Sequence, residues 1–204
     1  MTKARPNKIP AALLLTALAA AAPEAQAQSA WTPAERIEHY TVKGATGAGL
    51  YAAIGTRGPK LGLSRVIAHT TFTLTWTRKY QPRGQACVIA VAKPKLTLIY
   101  TLPEASGKLP APLAASWARF AEGVAAHERV HGGFITQMVR EIEAFSLGLR
   151  VENDPDCKKI RPVLQQRLGE LSDRQRQKGR EFDIVEMGKG GTVQQLILGL
   201  VTGP

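Results

Sequence analysis

Cysteine is nearly absent from this 204-residue chain: there are two, Cys87 and Cys157, and no CxxC pair. That excludes a small disulfide-dense scaffold, and it makes a cysteine-based zinc ribbon a weak reading. Histidine is also scarce, at four residues. Beyond the N-terminal stretch no apolar run approaches the roughly 20 residues needed to cross a bilayer. The apolar tail VQQLILGLV is too short and is expected to pack on the core. The sequence carries no internal repeat and no nucleic-acid-binding motif. Acidic residues are the minority charge, 16 against 27 basic.

At the N-terminus Lys3, Arg5 and Lys8 form a basic start. The run from Ile9 to Ala22 is apolar, and Ala25-Gln26-Ala27 fits a small-x-small cleavage site. This order predicts a signal peptide over 1–27 and one domain over 28–204, periplasmic or secreted. An uncleaved anchor helix is the alternative. The leader holds Lys3, Arg5, Lys8 and Glu24, so 24 of the 27 basic and 15 of the 16 acidic residues remain, a net of +9. A basic surface suits anionic envelope polymers, although a merely solvated basic face explains it more simply. In an oxidising compartment the two cysteines should pair, Cys87 with Cys157. Closing a loop of about 70 residues is worth roughly 4 kcal/mol in the chain-entropy model. The bridge would tie the sheet to the later helices.

Along the chain, residues 28–38 read as a loose start and HYTVKG, 39–44, as a short strand. Residues 46–60 suggest one or two helical turns ended by Gly58-Pro59. TTFTLTWTRKY, 70–80, is the clearest strand: Phe72, Leu74 and Trp76 point one way, Thr71, Thr73, Thr75 and Thr77 the other. QPRGQ, 81–85, reads as a turn. Residues 87–103 supply one long or two short strands, with Pro94 favouring an edge or a break. After Pro112 the apolar period becomes helical, from Leu113 through Trp117, Phe120, Val124, His127, His131, Ile135, Met138, Ile142 and Phe145 to Leu149. Asn153-Asp154-Pro155-Asp156 breaks that helix. A second, rich in charge, is expected over 157–184.

On the first of these helices stands HERVH, residues 127–131. Residues four apart lie one turn apart on the same face, so His127 and His131 can converge on one ion. Glu128 is offset by about 100° and can flank that ion. A metal there would acidify water, and the carboxylate would supply the base. His39 and His69, on strand segments, read as ordinary half-buried histidines.

A wider pattern surrounds the motif. An exported leader comes first, then a strand with Trp76 and Tyr80, then Cys87 and a strand ending in Leu102-Pro103. A helix opening Trp117-Ala118-Arg119-Phe120 and the HERVH motif follow. This order resembles the bacterial family of predicted secreted zinc-dependent proteases, catalogued as domain of unknown function 922, over most of residues 40–185. The resemblance implies a zincin-like peptidase with His127 and His131 as ligands and Glu128 as base. The family's C-terminal region carries an aromatic-Asp pair, then a Thr and a His-Gly. Phe182-Asp183 fits the pair, but Glu186 and Gly188 stand where the Thr and the His would be.

A catalytic zinc usually has three protein ligands. No His follows at the HExxHxxGxxH spacing, where position 137 is Gln137. Glu141, ten residues past His131, is about 15 Å away on a straight helix, and Glu143 is farther. A second helix running back antiparallel from residue 157 regains the level of the histidines after about 20–30 residues, near Glu181, Asp183 and Glu186. Asp183, which also fits the aromatic-Asp pair, is the expected third ligand and Glu186 the second choice.

The expected fold is α+β: a small, mostly antiparallel N-terminal sheet, then two long antiparallel helices, the first carrying HExxH. The expected function is a zinc metallopeptidase acting on a protein or peptide substrate, with Tyr80 and Tyr100 as guesses for the oxyanion donor. Residues 95–102 are expected to form a strand near that helix, either an edge that can pair with an extended substrate or an interior strand with no free edge. The rival is a non-catalytic envelope-binding or assembly protein. A zinc hydrolase of a non-peptide bond is a third reading.

Overall fold

The computed structural model describes Met1 and residues 31–203. Apart from Met1, the leader expected over 1–27 lies outside the described residues. The chain runs β1 (Ala34–Val42), α1 (Gly47–Arg57), β2 (Lys60–Leu61), β3 (Ser64–Arg65), β4 (His69–Arg83) and β5 (Ala86–Ala105). It continues with α2 (Ala111–Ser146), β6 (Arg150–Val151), α3 (Ile160–Met187) and α4 (Thr192–Val201). This is a mixed α/β architecture. No helix among the described residues is long and apolar enough to cross a membrane.

The hairpin β4–β5 is the frame. Its loop is only Gly84-Gln85, because Arg83 pairs with Ala86, so the strands extend through most of the expected QPRGQ turn. Gly84 takes φ 62°, the left-handed conformation that glycine adopts without steric cost. β5 is one strand of 20 residues that passes straight through Pro94. At 89–96 only β4 pairs with it as a strand, since β6 covers residues 87–88 and β1 begins at Thr97. One side is thus free of a strand where proline has no N–H to give.

The sheet is not wholly antiparallel and not wholly N-terminal: β4 and β6 pair antiparallel with β5, but β1 runs parallel to it, and β6 joins from beyond α2. Of residues 95–102, Thr97–Thr101 are interior, paired with β1 on one side and β4 on the other, so that stretch offers no free edge; Lys95 and Leu96 pair with β4 alone. The parallel pair and the interior stretch both come from β1, which begins inside the stretch expected to be loose. Its sequence AERIEHYTV is exposed along most of its length, so it shows no apolar alternation. The sheet order β1-β5-β4 leaves β1 and β4 as the edges.

Among the described residues four helices cover this frame instead of two. Leu113, Phe120, Val124, Ile135, Met138, Val139 and Ile142 of α2 bury one stripe against Leu96, Leu98, Tyr100 and Leu102 of β5. The stripe stops at Ser146, so Leu149 falls outside the helix. α1 and the tail helix α4 add Leu50, Ile54 and Leu200 to the same core. A second apolar cluster surrounds the disulfide between Cys87 and Cys157, with Ile89, Ile160 and Leu164. α3 returns antiparallel along α2: Arg174 meets Glu141 at 3.4 Å and Lys178 donates to Gln137 at 3.2 Å. Each step back along α3 therefore matches a step forward along α2, and that pairing places the far end of α3 beside HERVH.

Candidate metal centre

HERVH lies in the middle of α2, and its three chemical residues take different surroundings. Glu128 is buried within the core-facing stripe, at 6% exposure. His127 and His131 sit on the shoulder of the stripe, facing α3. Asp183 of α3 meets them. Its Oδ1 is 3.2 Å from His127 Nε2 and 2.9 Å from His131 Nε2, and the two Nε2 atoms are 3.2 Å apart. These three residues form the candidate metal-holding group among the described residues.

Protons satisfy this triangle poorly. Each Nε2–H can donate to Asp183, but then the two imidazole N–H groups face each other across 3.2 Å. If the protons sit on Nδ1 instead, three lone-pair atoms converge with no donor between them. A cation satisfies all three contacts at once. With zinc–ligand bonds of about 2.0–2.2 Å, the ligand atoms of a tetrahedral site stand roughly 3.3–3.6 Å apart. The observed edges of 2.9–3.2 Å are shorter by a few tenths of an ångström, so the triangle would open slightly around an ion. Two imidazoles and a carboxylate are also a donor set that zinc accepts.

The charges are consistent with a tight cluster. Burial opposes the ionised form of Asp183, yet hydrogen bonds from His127 and His131 and their charge hold its carboxyl well below the usual range. Burial likewise opposes protonation of His131, but Asp183 outweighs it and raises that pKa, with Glu128 adding to the effect. Phe182 completes the wall, stacked on His127 at 4.7 Å and edge-on to His131 at 5.4 Å. Both members of the Phe182-Asp183 pair thus face the histidines.

Glu186, the second choice for third ligand, is on the other side of the His127 ring. Its Oε2 is 3.9 Å from His127 Nδ1, and its Oε1 accepts from Thr192 Oγ1 at 3.1 Å. Glu141 instead meets Arg174, and Asp154 accepts backbone N–H groups at the start of α3.

Sequence reasoning missed Thr70 of β4. Its hydroxyl lies 2.5 Å from Glu128 Oε2, to which it donates, and 3.0 Å from the Glu128 carbonyl oxygen. The signal was its parity: Thr70 shares a face with Phe72, Leu74 and Trp76 rather than with the threonines of the opposite face. Tyr80 is not at the centre. It lies ten residues down β4 from Thr70, roughly 33 Å along an extended strand, with Arg161 over its ring. Tyr100 is closer, its hydroxyl packed on α2 at Gly132, where a Cβ would come within 2.2 Å of it. Of the other histidines, His69 is half-buried on β4 and His39 is exposed on β1.

A family model described as bacterial protein of unknown function (DUF922) matches residues 37–191. The stretch includes HERVH, Thr70, both cysteines, Asp183 and Glu186. No curated protein and no solved structure matches the chain.

Proposed function

The chain belongs to this bacterial family, to which no activity is assigned, and from that premise we propose that the protein is a periplasmic or secreted zinc metallopeptidase. The observation that carries the reading is the meeting of His127, His131 and Asp183 through three atoms 2.9–3.2 Å apart, next to the buried Glu128. The three residues would hold the zinc ion. Bound there, zinc would supply Lewis acidity, lowering the pKa of water and polarising a carbonyl.

The chain's own residues do the rest. Thr70 holds Glu128 Oε2, which leaves Oε1 to take the proton of the attacking water and to pass it to the departing amine. Phe182 covers one face of His127 and limits its rotation. A cavity of about 370 Å³ beside α2, lined by Glu35, Tyr100, Arg129, Gly132 and Arg140 among others, has none of His127, Glu128, His131 or Asp183 in its wall, so it is a neighbour of the centre at Gly132 and not the place where a substrate would meet the metal. The buried Cys87–Cys157 disulfide favours an oxidising compartment.

The rival reading, an envelope-binding or assembly protein without catalysis, draws on Glu186 and Gly188 standing where the family pattern has Thr and His. The Glu128→Gln variant separates the two. Incubated with bacterial envelope proteins, the wild type should cleave at least one, and the variant should bind zinc, stay folded and cleave none. Equal behaviour of wild type and variant would support the rival.

A further inference from the structure

His127 has an unsatisfied end. Its Nε2 faces Asp183 and His131, while its Nδ1 is buried and finds no hydrogen-bond partner. A buried polar nitrogen without a partner is costly, so what faces Nδ1 matters. The facing group is the carboxylate of Glu186, with Oε2 at 3.9 Å and a side chain only 18% exposed. That is too long for a hydrogen bond, but a carboxylate movement of about 1 Å would make one. The other carboxylate oxygen is held by Thr192 Oγ1 at 3.1 Å. Thr192 is the first residue of α4, which packs on α2 as well as on α3. The tail helix thereby holds Glu186 on the Nδ1 side of the imidazole by one oxygen and leaves Oε2 the one that can close on Nδ1.

Building on the metal-centre reading, we infer that Glu186 is a positioning residue: it accepts the Nδ1–H of His127 and so presents the Nε2 lone pair to the metal. A histidine ligand is a lone-pair donor at one nitrogen only when the proton sits on the other. A carboxylate at Nδ1 selects that tautomer, fixes the ring plane and makes Nε2 a stronger donor. This places Glu186 behind the ligand and Asp183 in front of it, so these two acidic residues of α3 have separate tasks. Thr192 acts through Glu186.

Three variants of the mature protein test this: Glu186→Ala, Glu186→Gln and Thr192→Val. The first measurement is zinc affinity, by competition with a chromophoric chelator. Loss of an outer partner typically weakens metal binding about 10–100-fold. Glu186→Ala should fall in that range, Thr192→Val should lose less, and Glu186→Gln should recover most of the affinity because its amide oxygen still accepts. The second measurement is the His127 Nδ1–H resonance of the zinc-loaded protein. It should be visible and shifted downfield in wild type, retained in Glu186→Gln, and lost to exchange or shifted upfield in Glu186→Ala. Wild-type zinc affinity with an unchanged Nδ1–H signal in Glu186→Ala would overturn the inference. So would a loss far beyond 100-fold that Gln does not recover, which would make Glu186 a direct ligand. A wild type that takes up no zinc would sink the metal-centre reading itself, an outcome distinct from both.

Discussion

Removing the disulfide has a calculable cost. Cys87 opens the long strand β5, Cys157 stands three residues before α3, and 70 residues separate them. In the chain-entropy model, opening a loop of that length frees the unfolded chain by about 4.4 kcal/mol. The bridge also matters locally. α3 buries only Ile160, Leu164, Leu171 and Gly179 over 28 residues, so apolar packing holds it weakly. Its first turns depend on the cluster around Cys87 and Cys157, both buried. The double variant Cys87→Ala/Cys157→Ala should therefore lose about 4 kcal/mol. For a chain of this size that is a Tm lower by roughly 8–18 °C. Thermal unfolding followed by circular dichroism, with a chelator present to remove metal linkage, measures it. Hydrogen exchange should show the early part of α3 losing protection before α2. A stability change below about 1 kcal/mol would refute the reasoning, as would free thiols in exported wild-type protein.

Two further perturbations test the site. Thr70→Val removes the donor that Glu128 Oε2 has among the described residues and leaves a buried carboxyl group less satisfied. It should cost about 1–3 kcal/mol of stability, read by denaturant unfolding, with zinc affinity unchanged and Thr70→Ser close to wild type. If Thr70→Val is as stable as wild type, the contact contributes little to the fold. The pH dependence should differ between metal-free and zinc-loaded protein. Asp183 is lowered, so its contribution is present above about pH 4 and is lost as pH falls through its lowered value. His131 is raised, so its contribution is present below about pH 6.5 and is lost as pH rises through its raised value. The pair thus stabilises the metal-free protein most between about pH 4 and 6.5. Zinc needs the His131 proton gone, so the gain in Tm on adding zinc should grow from pH 5.5 to 8. A gain independent of pH would contradict the role of His131.

The centre was more legible than the sheet. Helical spacing alone puts His127 and His131 on one face with Glu128 beside them, and the 1.5 Å rise carries a returning helix to the level of Asp183. The structure brings those residues together because α3 does run back along α2, as the Arg174–Glu141 contact shows. Of β1 only the end was legible, within the strand expected over 39–44; its first half, Ala34–Glu38, was not, for a physical reason. An exposed edge strand buries almost nothing, so Glu35, Arg36 and Glu38 occupy positions where an interior strand would show apolar alternation. That first half is what pairs with Thr97–Thr101, so the interior place of β5 was not legible either. The role of Glu186 was hidden because spacing gives its level along α3 but not which ring nitrogen of His127 it would face.

Zinc titration of the metal-free protein, wild type against Asp183→Ala, is the most direct test of the metal centre. One zinc should bind per wild-type chain, held with an affinity that Asp183→Ala lowers by more than about 100-fold while keeping its fold. A wild type that binds no zinc, or a folded Asp183→Ala that binds it as tightly, would contradict the account.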